Sequence, residues 1–73
     1  MYTVKEFFYK NEENKIKSIT SAVCENKDSM LKAYEKFIDE AKIHNEATND
    51  GFTILKVVLY ENEDVLEETV ISE

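Results

Sequence analysis

Cys24 and His44 are the one thiol and the one imidazole in this chain of 73 residues, so thiolate–imidazole chemistry would have to use that pair. Such a pair works only within hydrogen-bond reach, roughly 3 Å. The residues between them read as a helix, with Cys24 just before its start and His44 near its end. About sixteen helical residues rising ~1.5 Å each put the two groups about 24 Å apart. The pattern therefore excludes a dyad. Cys24 reads as a small buried hydrophobe, and His44 as a helix-end imidazole that suits the dipole.

Metal chemistry fares no better. Zinc asks for three or four nitrogen or sulfur ligands, and the chain owns one of each. In EATNDG, aligning Gly51 with the sixth position of a calcium loop puts Glu46, Thr48 and Asp50 at positions 1, 3 and 5. The bidentate acid would then fall on Val57, so the stretch reads as a turn. Adjacent acids such as Glu12/Glu13 and Glu67/Glu68 point to opposite faces if they lie on strands. Glycoside hydrolysis needs its two carboxyl groups facing one another across a cleft. A single glycine makes no phosphate-binding loop or nucleophile elbow. With no arginine there is also no guanidinium fork for bidentate recognition of phosphate or carboxylate. The expectation is a protein that is not an enzyme and uses no cofactor and no metal.

The elements that would carry these residues are legible. YTVKEFFYK, 2–10, is rich in aromatic and β-branched types and predicts a strand; KIKSITSAVC, 15–24, returns after the polar turn NEEN. Ile16 and Ile19 fall on opposite faces of that second strand, which points to a bulge or an early bend. Met30, Ala33, Tyr34, Phe37, Ile38 and Ala41 follow helical spacing, while Lys32, Glu35, Lys36, Asp39 and Glu40 lie away from their stripe. The helix should run over about 28–45, capped by Asn26 or Asp28, and end before NDG at 49–51. FTILKVVLY, 52–60, predicts a strand with Leu55, Val57 and Leu59 on one face and Phe52, Ile54, Val58 and Tyr60 on the other. ENED turns the chain, and VLEETVIS returns as an acid-bearing strand. The order β-β-α-β-β defines one α+β domain over 1–73, with two β-hairpins joined by one helix packed on one face of a four-stranded sheet. Strand order stays open; if the strands flanking the helix are parallel neighbours, their crossover should be right-handed.

Composition bounds the setting. A 42% apolar content with eight aromatic residues excludes a disordered chain. One cysteine leaves no internal disulfide, which fits a reducing compartment. The first fourteen residues carry charge throughout and no apolar signal core, and no apolar run approaches the ~20 residues of a membrane span. A Lys-, Asn-, Glu- and Ile-rich chain without arginine fits AT-rich coding, so the expected place is the cytoplasm of a bacterial host, away from membranes. The net charge of −7 is uneven, with +1 over residues 1–17, −3 over 18–50 and −5 over 51–73. Lys5, Lys10, Lys15 and Lys17 stand beside Tyr2, Phe7, Phe8 and Tyr9, a combination able to stack bases. Interleaved acids and the overall charge argue against direct nucleic-acid binding.

Two partner surfaces result. The acids Glu61, Glu63, Asp64, Glu67 and Glu68, joined by Glu35, Asp39 and Glu40 of the helix, offer contacts to a protein with a basic surface. Strand acids spaced ~6.6 Å apart are too dilute to imitate a duplex alone. In size and charge the chain resembles small phage inhibitors of host nucleases and defence systems, anti-CRISPR proteins among them. That resemblance is one of type; it implies an inhibitor or regulator and assigns no residue. The alternative follows from coverage. One helix covers one sheet face, leaving Phe52, Ile54, Lys56, Val58 and Tyr60 as a face for a homodimer.

Overall fold

The computed structural model describes residues 1–47 and 51–72. Its elements are β1 (Tyr2–Lys10), β2 (Lys15–Cys24), α1 (Lys27–Ala47), β3 (Phe52–Glu61) and β4 (Asp64–Val70). The expected β-β-α-β-β order and α+β class are what the structure shows. The sheet order is β2-β1-β3-β4, with every neighbouring pair antiparallel. β2 and β3 therefore run parallel to each other with β1 between them, so they are not the neighbouring pair to which the crossover expectation applied.

Local chemistry explains the boundaries. Asn26 caps α1 by accepting the backbone N–H of Ser29 at 2.9 Å, while its own carbonyl accepts that of Met30 at 3.1 Å. Asp28 then sits in the first turn, where its charge meets the positive end of the helix dipole. Both hairpins turn on asparagine in the left-handed region, Asn14 at φ 53° and Asn62 at φ 57°, a conformation that its short polar side chain tolerates. Gly51, at φ 91°, supplies the last turn before β3 and offers its carbonyl to Asn11 at 2.9 Å. Asn49, Asp50 and Thr48, part of the expected turn and of the calcium-loop comparison, lie outside the described residues.

The core lies between α1 and the inner strands. Val4, Met30, Tyr34, Ala41, Ile54, Val57 and Leu59 form one buried cluster, with Phe8, Phe37, Ile38 and Phe52 packed against it. This corrects the face assignment of the third strand. Phe7 pairs with Lys56 but Phe8 pairs with Ile54, so Leu55 is an extra residue in β3. The bulge moves Phe52 and Ile54 onto the helix side with Val57 and Leu59 and leaves Lys56, Val58 and Tyr60 on the other. Ile54 is 9% exposed and belongs to the helix-side core, so neither it nor Phe52 can serve the open face. β2 and β4 carry similar extra residues, Ser21 and Leu66.

The bulged backbone is closed by side chains and by the chain's return. Asn45 of α1 donates its carboxamide N–H to the Ile54 carbonyl at 2.8 Å and accepts the Ile54 N–H at 2.9 Å. β4 ends opposite Lys56, so the Asn45 amide stands where a further strand residue would have paired with Ile54. The Leu55 carbonyl accepts both Ile71 and Ser72, at 2.8 and 3.1 Å. His44 stacks on Phe52 with centroids 4.4 Å apart, which fixes the last turns of α1 over this end of β3.

Candidate functional site

Three surfaces remain once α1 has covered its part of the sheet. The first is the open sheet face. Cross-strand partners share a face, so the register sets Thr3, Lys5, Phe7 and Tyr9 of β1 beside Thr53, Lys56, Val58 and Tyr60 of β3. Ile16, Ser18, Thr20 and Val23 flank them from β2, and Val65, Glu68 and Val70 from β4. Among the described residues of this face only Lys5, Lys56 and Glu68 are charged, a net +1 in a chain of −7.

The centre of that face is already roofed. Val58 is 1% exposed although no helix lies over it. Its cross-strand neighbours are Lys5 and Glu68, and Lys56 and Tyr60 flank it along β3. The Lys5 ammonium sits 5.4 Å from the Tyr60 ring centroid, and that of Lys56 sits 4.9 Å from Phe7. Lys56 also donates to Glu68 at 3.0 Å. The lysine stems thus lie across the apolar centre while their charges are held by aromatic faces and one carboxylate. Around this roof Ile16, Val23, Val65 and Val70 are more than half exposed.

The second surface is acidic, and the structure divides the expected set. Glu61 and Asp64 face one another across the β3–β4 hairpin, with Glu63 in the turn between them. The Tyr2 hydroxyl donates to Glu61, and that bond, some burial and the carboxylate's charge hold the phenol above its usual range. Glu67 stands on the helix side, where its charge acts on Tyr34, while Glu68 stands on the open face against Lys56. Glu35, Asp39 and Glu40 are exposed on α1, and Glu40 lies 4.0 Å from Lys36. The acids form a tip, a helix surface and two opposed strand positions.

The third surface has no counterpart in the sequence expectations. A groove of about 290 Å³ opens on the helix side, over the half of the first hairpin that α1 does not reach. Phe8, Ile19, Phe52 and Ile54 make its apolar lining, with Glu6, Lys10 and Lys17 around them. Phe8 and Phe52 meet edge to face at 5.5 Å. Ser21 donates to Glu6 at 2.8 Å, and Glu13 pairs with both Lys17 and Lys10, which keeps its carboxyl below the usual range. The one sequence signal for this groove was Ile19, an apolar residue that follows Lys15 and Lys17 on its face of β2.

Cys24 packs at the margin of the core, its sulfur accepting the Asn26 N–H at 3.4 Å. Among the described residues no three His, Cys, Asp or Glu side chains gather as a metal-binding group, and no helix is long and apolar enough to cross a membrane. Compared with protein-family models, curated proteins and solved structures, the chain matches none.

Proposed function

We propose that this chain is a non-enzymatic binding protein that pairs with a second copy of itself through the open face of its sheet. The observation that carries this reading is the broad face that no helix covers, whose rim exposes Ile16, Val23, Val65 and Val70 and which carries few charges in a strongly acidic molecule. Two copies repel one another wherever acids meet, and this face is where they can approach through apolar side chains with few charges between them. Four strands spaced ~4.8 Å apart and about eight residues long give a face of about 500 Å². That is somewhat less than the ~800 Å² per partner of a standard interface, which supports a dimer of micromolar rather than nanomolar strength.

Light scattering after size exclusion tests this. At about 100 μM, well above a micromolar Kd, the mass should approach twice 8.5 kDa. Val65→Lys with Val70→Lys should return it to the monomer, because both exposed apolar residues of the face are lost and two cations are added to each copy's face. A wild-type monomer at that concentration ends the proposal.

One observation favours a second reading, the inhibitor of a protein with a basic surface. Like charges directly opposite in a sheet are unfavourable, yet Glu61 faces Asp64 beside Glu63. A solubilising surface has no need of that placement, whereas contact with lysines or arginines of another protein would relieve it. Under this reading Glu61→Lys, Glu63→Lys and Asp64→Lys together abolish a salt-sensitive complex without unfolding the domain. Retained binding by that variant removes the tip from consideration.

A further inference from the structure

We infer that the free edge of β2, together with the groove beside it, binds an extended peptide in which an apolar residue is followed at alternate positions by acidic ones. β2 ends the sheet, so its outward N–H and C=O groups face no strand. Its first six residues are exposed. An added strand would take its affinity from those backbone groups and its selectivity from pockets that receive alternate side chains. The groove is such a pocket, because Ile19 and Lys17 line it from β2 itself.

The chemistry of the occupant follows from the order of side chains along this edge. Lys15, Lys17 and Ile19 alternate onto the helix side of β2. β2 is also the one strand without an acid. A strand running antiparallel to it places every second residue on the same side. An apolar residue opposite Ile19 lies one strand spacing out from β2 and packs against Ile19 at the margin of the groove. The residues two and four positions later then fall opposite Lys17 and Lys15, where carboxylates are complementary. Glu13 already contacts Lys17, so the carboxylate that falls opposite Lys17 shares that cation with it. This site lies on the helix side and edge of the sheet, separate from the open face, and both copies of a dimer would keep it.

Titrating the isotope-labelled protein with the capped heptapeptide TLTETET, followed by backbone amide NMR, tests the inference. Shifts should concentrate at Lys15–Ser21, and outward amides of β2 should gain protection from hydrogen exchange. TLTKTKT should bind at least tenfold more weakly. Ile19→Asp, at a half-exposed position that leaves the core intact, should weaken TLTETET by a similar factor. The Val65→Lys, Val70→Lys variant should bind it like wild type, which separates this site from the dimer. Absence of shifts at millimolar peptide, shifts confined to the open face or β4, or equal binding of TLTKTKT would each overturn the inference.

Discussion

Asn45 offers the sharpest test of how this fold is held. Its carboxamide makes both hydrogen bonds that the Ile54 peptide groups would otherwise lack, at 2.8 and 2.9 Å. Two ordinary intramolecular bonds contribute about 0.5–1.5 kcal/mol each, and leaving a part-buried backbone donor and acceptor unpaired costs more than losing the bonds alone. Asn45→Ala should therefore destabilise the domain by about 2–3 kcal/mol, a large share of the ~4–11 kcal/mol expected for a chain of this length. Urea unfolding followed by circular dichroism measures this, with an accompanying fall in Tm of about 10–20 °C. Asn45→Asp makes the argument sharper. A carboxylate accepts from the Ile54 N–H but repels its carbonyl, whereas the protonated acid can donate to it. The folded state then binds that proton more tightly than the unfolded state. Its raised pKa gives stability that is full below the ordinary carboxylate range and lost as pH rises through the folded value. A loss under about 0.5 kcal/mol for the alanine variant would refute the reasoning, since water would then be serving Ile54 equally well.

Tyr34 carries a pH signature of its own. Its phenol is pushed up by burial and by the charges of Glu67 and Glu68, against the opposing bond to the Thr69 hydroxyl at 2.6 Å. The contribution is complete below the unfolded tyrosine pKa of about 10 and declines as pH rises through the folded value. Tyr34→Phe should remove that alkaline decline and cost about 0.5–1.5 kcal/mol at neutral pH, both visible in denaturation curves at two pH values. On the open face, Val58→Ala should cost about 2 kcal/mol by unfolding titration, despite the absence of a helix above it. Lys56→Met should change stability by less than about 1 kcal/mol, since the stem that covers Val58 is kept and only exposed charge contacts go.

The elements and their order were readable because each has its own chemistry. Met30 to Ala41 recur at helical spacing, Asn26 stands ready to cap, and polar turns separate the strands. The faces of β3 were not readable. In FTILKVVLY almost every position is apolar, so alternation gives no parity signal and nothing marks Leu55 as the extra residue. Ile16 and Ile19 hinted at an irregularity in β2, yet the extra residue is Ser21, because the register answers to Val4 and Ala22 packing under the helix. The two-sided apolarity of FTILKVVLY beside its acid-bearing return marks β3 as an inner strand and β4 as the more exposed one, but the full strand order is not in the pattern. The groove was missed for a related reason. It depends on where the end of α1 is anchored, and that depends on Asn45, a polar residue whose type alone points to solvent.

The bulge at Leu55 also makes β3 sensitive to length in a way that substitutions do not probe. Residues before it and residues after it reach the core in opposite parity, so their count, rather than their identity, keeps Phe52 and Ile54 in step with Val57 and Leu59. Removing Leu55 conserves the composition of the strand almost entirely. It nevertheless forces one half of β3 to present its apolar side chains to water or to lose its pairing with β1. A single-residue deletion here is the equivalent of a frameshift in packing, and related chains should vary the side chain at this position far more freely than they vary its presence.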